Sequence, residues 1–212
     1  MNKKDNLDDM DYEDYEKHGT TIIGILTEDG VVLASDRKVS THISTADKDF
    51  LKIKDINPNT LLAFAGSVAD AQDIVSHLRQ QANLYNARRE RDLDVSTTVN
   101  ILQNYMRDCF RYVSPLIGGF DDSPRLYEIS PGGSSISINN YACSGSGQQF
   151  ATGVLESEYK PNLTISEARE LARKAIKAAS ERDNFTGNGI TIGVIKSDDK
   201  SIETYDVIPD EI

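Results

Sequence analysis

Gly19-Thr20-Thr21-Ile22-Ile23-Gly24-Ile25-Leu26 is the stretch on which the reading of this chain turns. Two hydroxyl residues run directly into an apolar, β-branched segment of the kind that forms a buried strand. Residues 1–19 differ sharply in character, with seven acids, three bases and almost no aliphatic surface. That composition reads as a disordered leader that is removed after Gly19, leaving a domain over residues 20–212. Taken alone, the stretch says only that Thr20 and Thr21 open a strand. A threonine at a newly exposed N-terminus has a further property, because its own α-amine can act as the base for its own hydroxyl.

The 212 residues suffice for one domain with a large core. A net charge of −11 argues against a nucleic-acid partner, whose phosphates need a basic face. No apolar run approaches the roughly 18 residues of a membrane span. The acidic N-terminus also lacks the basic and apolar regions of a secretory signal. Cys109 and Cys143 are too few for a disulfide framework and fit a reducing cytoplasm. They form no Cys-x-x-Cys pair, and His18, His42 and His77 are scattered, so neither a metal nor a cofactor is implied.

Working outward, Glu28-Asp29-Gly30 is a hairpin turn and Val31–Ser35 a second apolar strand, with Asp36-Arg37-Lys38 at its end. Residues 39–49 read as a polar loop. Phe50–Ile56 alternates as a strand that places Lys52 on one face with Phe50 and Lys54. Thr60–Ala65 is a short buried strand closed by Gly66. Ser67-Val68-Ala69-Asp70 resembles a capping box opening a helix with apolar positions Val68, Ala71, Val75, Leu78, Ala82 and Tyr85. A second helix, capped by Asp94, carries the stripe Val95, Val99, Leu102, Met106, Cys109 and Val113, which reads as core. Strands occupy Leu116–Cys143, a third helix follows Gly145-Ser146-Gly147, and Thr164-Ile165-Ser166-Glu167 caps a fourth. Gly189–Ile195 and Ser201–Val207 are the last strands. Strands grouped between helix pairs imply antiparallel sheets, each covered by one pair. The expected architecture is α+β, a four-layer αββα sandwich with the N-terminal strand between the layers.

A nucleophilic Thr20 needs a base, a charge that poises the base, and donors for an oxyanion. A free α-amine titrates at about 7.7–8.0, and a neighbouring ammonium lowers that value by like-charge repulsion. Lys52 is the candidate ammonium and Asp36 its counter-charge, although each taken singly reads as a solvated surface group. Gly66, at a strand end before a helix N-terminus, offers an N–H where negative charge is favoured. Gly145-Ser146-Gly147 is neither a dinucleotide fingerprint nor a serine-hydrolase elbow, since Gln148-Gln149-Phe150 follows and residue 144 is Ser.

The ordered set His18-Gly19-Thr20-Thr21, Asp36-Arg37, Lys52, Ala65-Gly66-Ser67-Val68-Ala69-Asp70, Gly145-Ser146-Gly147 and Arg182-Asp183 with its following glycines resembles a proteasome β subunit. The resemblance runs from about His18 to the final strand. It implies an N-terminal-nucleophile hydrolase, a threonine endopeptidase activated by autocatalytic removal of its leader between Gly19 and Thr20. It further implies heptameric β rings stacked between rings of proteasome α subunits, a regulatory ATPase acting through the α ring, and unfolded proteins as substrates. Carried across, Thr20 is nucleophile and base, Asp36 and Lys52 tune it, and Gly66 is the oxyanion donor. Ser146 and Asp183 support the amine; Ser146 matches by its glycine flanks, with Ser144 the alternative. Thr186 stands where the family usually has a serine, keeping the hydroxyl but restricting its rotamer. Val39, Ser40, Phe50, Phe64 and Val68 are the expected substrate-binding residues. Phe64, two residues before Gly66 on one strand face, is expected to floor a pocket favouring hydrophobic side chains.

Two other readings differ in what they require. A structural, inactive β subunit typically loses the Gly-Thr junction or the lysine, and this chain keeps both. The simpler bacterial ATP-dependent peptidase of the same fold also begins with Thr-Thr, but is shorter and has no such leader.

Overall fold

The computed structural model describes residues 19–40, 45–197 and 199–205. The expected disorder of the leader therefore falls on residues outside the described set, as does Val207. The hairpin β1 (Thr21–Leu26) and β2 (Gly30–Asp36) lies at the centre of a five-stranded sheet ordered β10-β1-β2-β11-β12, with β10 at Tyr141–Gly145, β11 at Ile190–Lys196 and β12 at Asp199–Tyr205. A second five-stranded sheet runs in order through β5 (Ile53–Asn57), β6 (Thr60–Gly66), β7 (Val113–Phe120), β8 (Pro124–Ile129) and β9 (Ser135–Ile138). Every strand pairing is antiparallel. Helices α1 (Val68–Arg89) and α2 (Val95–Asp108) follow β6, while α3 (Gln148–Glu158) and α4 (Ile165–Arg182) follow β10.

Side-chain alternation distributes these strands among three apolar cores. Ile23, Ile25, Val32 and Ala34 point toward Ala151, Leu155 and the Ala168–Ala179 face of α3 and α4. Their neighbours Ile22, Val31 and Leu33 point the other way, meeting Ile53, Leu61, Ala63, Leu116 and Leu126 of the second sheet. That sheet turns Leu62, Phe64, Ile117 and Ile129 toward Ile74, Leu78, Leu102 and Met106 of α1 and α2. The sheets therefore face each other, each with a helix pair on its outer side. β1 and β2 are apolar without alternation because both of their faces are covered. Each fully buried Ile or Leu contributes about 1.5–3 kcal/mol of transfer free energy.

The register brings the chemistry to one end of the first sheet. Thr21 pairs with Gly145 and Ile190 with Asp36, so the start of β1, the end of β2 and the end of β10 converge.

Several local expectations need correction. The capping box at Thr164 and Glu167 is complete, with both reciprocal hydrogen bonds formed. The one at Ser67 is half a box: Ser67 Oγ accepts from the Asp70 N–H, but the Asp70 carboxylate accepts the Tyr112 N–H at 2.9 Å instead. α1 buries Ile74 rather than Val68 or Tyr85. Part of the supposed loop over residues 39–49 forms the small pair β3 (Val39–Ser40) and β4 (Thr45–Asp47). The strand expected from Phe50 begins only at Ile53. The stripe assigned to α2 overruns its end, since the helix stops at Asp108 and Val113 opens β7, paired with Gly66. Cys109 is consequently an exposed C-cap rather than a core residue.

The two thiols should therefore react differently. Burial pushes the Cys143 thiol up to about 12, leaving little reactive thiolate near neutral pH. Iodoacetamide at pH 8 is expected to alkylate Cys109 in the folded protein and spare Cys143, as read by peptide mass. Equal labelling of both would contradict the placement.

Candidate active site

Thr20 is the residue immediately before β1, buried, with an N–H that donates to Ser146 Oγ at 3.1 Å. Ser146 Oγ in turn donates to Asp183 Oδ2 at 2.5 Å. The same carboxylate oxygen takes the Thr186 hydroxyl at 2.6 Å, and the Phe185 N–H reaches Asp183 Oδ1 at 3.2 Å. Since the Thr186 hydrogen is committed to Asp183, the 2.7 Å contact between the Thr186 and Thr21 hydroxyls is donated by Thr21. A chain of hydroxyls thus leads from Thr20 and Thr21, through Ser146 and Thr186, onto Asp183, the C-cap of α4.

This convergence requires glycine on both sides of Ser146. Gly145 has φ +101°, and a Cβ there would lie 2.0 Å from the Thr20 carbonyl oxygen and 3.3 Å from Ala65 Cβ. A Cβ on Gly147 would lie 2.2 Å from Thr21 Oγ1. Only a residue without a side chain allows such approaches. Ser144, the alternative serine, sits within β10 opposite Ile22. Gly19 carries a similar constraint, for a Cβ there would fall 1.6 Å from Phe185 Cβ. Close packing against Phe185 thus requires a residue without a side chain at this position.

A second network stands beside the first. Asp36 is 0% exposed and Lys52 2% exposed, which overturns the reading of either as a solvated charge. Lys52 Nζ donates to Asp36 Oδ1 at 2.7 Å and to the Lys38 carbonyl at 2.6 Å, leaving one of its three donors over. The Asp36 carboxylate also accepts the Thr21, Lys38 and Gly187 N–H groups at 3.0, 3.1 and 3.1 Å. Burial pushes the Lys52 ammonium below the ordinary lysine range and the Asp36 carboxyl upward, against their mutual attraction. Four donors around one carboxylate oppose that rise by favouring its ionised form. Lys52 lies just ahead of β5, tied to β6 by its carbonyl, which accepts the Phe64 N–H at 3.2 Å.

Gly66 closes β6 with φ +115°, a left-handed conformation that favours glycine, and Ser67 caps α1 directly after it. The Thr20 carbonyl and Ala65, the residue before Gly66, both lie close to Gly145. Of the five residues expected to bind substrate, Phe64 lines a 380 Å³ cavity between β5, β6 and α1, and Phe50 packs edge-on against it at 6.2 Å. Ser40 Oγ is buried without a hydrogen-bond partner among the described residues. Val39 and Val68 are half-buried and do not line that cavity.

Sequence reasoning overlooked Thr21, the Gly187 N–H, the Lys38 carbonyl and the cavity residues Lys54 and Arg79. Thr21 alone had a usable signal: a hydroxyl in an otherwise apolar strand, on the face opposite Thr20.

The model of the proteasome subunit family matches residues 16–195. The proteasome subunit beta of Haloferax volcanii is 43% identical over 191 residues, covering 89% of this chain and 78% of the relative. That of Haloquadratum walsbyi is 41% identical, covering 95% and 84%, and that of Halorhabdus utahensis 38%, covering 97% and 88%. The chain belongs to the proteasome subunit family.

The buried pair also sets a stability expectation. Lys52→Ala leaves the Asp36 charge buried and uncompensated, which costs about 3–5 kcal/mol. Denaturant unfolding should show a loss of that size; a change below about 0.5 kcal/mol, as for an ordinary surface substitution, would contradict it.

Proposed function

We propose that the chain is a threonine-type endopeptidase of the proteasome core particle, with Thr20 as nucleophile once residues 1–19 have been removed. The observation that carries this reading is the position of the Thr20 nitrogen, held by Ser146 and Asp183 beside the buried Asp36–Lys52 pair. With Gly19 gone that nitrogen is an amine. It takes the proton of Thr20 Oγ1 as the oxygen adds to the scissile carbonyl, and returns it to the leaving amine. The Lys52 ammonium keeps the amine's affinity for protons low and favours the developing alkoxide. The Gly66 N–H and the N-terminus of α1 stabilise the oxyanion. Water then hydrolyses the ester left on Thr20. Ser146, Asp183 and Thr186 orient the amine, and the reaction uses no cofactor or metal.

Removal of the leader follows from the same groups. While Thr20 is joined to Gly19 its nitrogen is an amide and has no basic lone pair. The Thr20 hydroxyl adds to the Gly19 carbonyl, a water near Lys52 and Ser146 taking the proton. The C–N bond breaks to give an ester and a free amine, and hydrolysis of the ester releases the leader. The particle around this chemistry would be heptameric β rings between α rings, fed with unfolded protein by an ATPase, in the cytoplasm. The Phe64 floor, Phe50 and the Ser40 hydroxyl, which has no partner among the described residues, support substrate binding, with Val39 and Val68 contributing from outside that cavity and cleavage after hydrophobic residues favoured.

The test is peptide hydrolysis by particles assembled with the cognate α subunits. Thr20→Ala should reduce hydrolysis at least about a thousandfold, in line with loss of a covalent nucleophile. Thr20→Ala particles turning over at the wild-type rate would contradict the assignment.

A further inference from the structure

A second cavity, of 520 Å³, lies against the hydroxyl network and has no part in the reaction proposed above. Thr186 and Gly187 contribute to its wall, and Lys38, Lys48, Ser180 and Asn188 complete the lining. Its two charged groups are both cations, and no carboxylate lines it among the described residues, in a chain whose net charge is −11. Lys48, just after β4, is exposed and makes no ion pair or hydrogen bond among the described residues. The acids beside it are engaged elsewhere: Asp47 accepts the Asp49 N–H at 2.9 Å, and Asp49 pairs with Arg37. Lys38 Nζ donates to the Asn184 carbonyl, a neutral acceptor, and has no ion pair among the described residues.

The described chain begins beside this cavity. Gly19 packs against Phe185, and the residue after Phe185, Thr186, is part of the cavity wall. Immediately before Gly19 the sequence runs Asp11-Tyr12-Glu13-Asp14-Tyr15-Glu16-Lys17-His18, four acids against one lysine. A chain spans at most about 3.6 Å per residue, so Glu16 and Asp14 have up to about 11 and 18 Å of reach from Gly19. That reach brings carboxylates to a cavity whose wall starts one residue beyond the contact that Gly19 itself makes.

We propose that this cavity is the docking site of the uncleaved leader, whose acidic run Asp11–Glu16 pairs with Lys48 and Lys38 and is held beside Thr186 until the Gly19–Thr20 bond is cut. Ion pairs this close to solvent are individually weak. They suffice here because the leader is tethered at Gly19, which keeps its carboxylates at high local concentration. Cleavage removes the tether, and the pairs alone do not retain the freed leader. The cut therefore exposes the Thr20 amine and empties the neighbouring cavity in one event. The inference rests on the reading of residues 1–19 as a leader that Thr20 removes.

The experiment follows acetylation of Lys48 by a water-soluble acetylating reagent, read by peptide mass, in three kinds of particle assembled with α subunits. These are mature wild type, Thr20→Ala, and Thr20→Ala whose leader also carries Asp11→Asn, Glu13→Gln, Asp14→Asn and Glu16→Gln. Intact mass first shows which chains keep residues 1–19. Lys48 should react about fivefold more slowly in Thr20→Ala than in wild type, the protection that one exposed ion pair supplies at its upper range. The neutral leader should restore the wild-type rate, and so should 1 M salt, where charges are screened beyond about 3 Å. Exposed Lys174, on α4, should react alike in all three. Equal Lys48 rates with and without a retained leader overturn the docking site, and so does equal protection by the acidic and the neutral leader. Either result leaves the catalytic reading standing. Loss of residues 1–19 from Thr20→Ala chains assembled alone defeats the processing reading and this inference with it.

Discussion

The ion pair between Asp36 and Lys52 is the interaction on which the rest of the site depends. Both groups are withdrawn from water, and an unpaired charge in that position would be strongly destabilising. The pair is tolerated because donors reach it from separate parts of the chain. The Thr21 N–H comes from the start of β1, the Lys38 N–H from the turn after β2, and the Gly187 N–H from the segment after α4. Satisfying one carboxylate therefore fixes three segments at one end of the first sheet. Thr20 is the next residue before the one so fixed, and its position follows from this constraint rather than from contacts of its own hydroxyl.

The hydroxyl network on Asp183 completes the arrangement from the other side. Strand alternation sends Thr20 and Thr21 to opposite faces, yet both are tied to Asp183, one through Ser146 and the other through Thr186. The extra methyl of Thr186 relative to serine is accommodated in a buried position, with its hydroxyl engaged on both sides. Gly145 and Gly147 are the counterpart in the backbone, since side chains there would collide with Thr20 and Thr21. Thr20 and Thr21 are thus held by β2, by the turn before α3 and by the turn after α4.

Much of the fold was legible because its signals are local. Apolar β1 and β2, the Asp94 cap and the Thr164–Glu167 box each state their own structure. The errors came where a tertiary partner took over. Asp70 left its capping role for the Tyr112 N–H, and Val113 left the helical stripe to pair with Gly66. In the site, Thr20, Asp36 and Lys52 could be nominated from their own chemistry, whereas Ser146, Asp183 and Thr186 took their roles from the resemblance to the family. The backbone groups of Lys38 and Gly187 could not, because a peptide N–H or carbonyl has no side-chain signature. Lys54 was legible as sharing a strand face with Phe50, but its place in a cavity with Arg79 comes only with the fold.

The central claim is that the chain works through an amine it does not possess until Gly19 is removed. Intact mass and N-terminal sequencing of peptidase-active particles, assembled with α subunits, test it most directly. The account predicts that every active β chain begins at Thr20, and that Thr20→Ala chains assembled without wild-type neighbours keep residues 1–19. Active particles whose β chains all retain Gly19 would contradict it, because the Thr20 nitrogen would still be an amide.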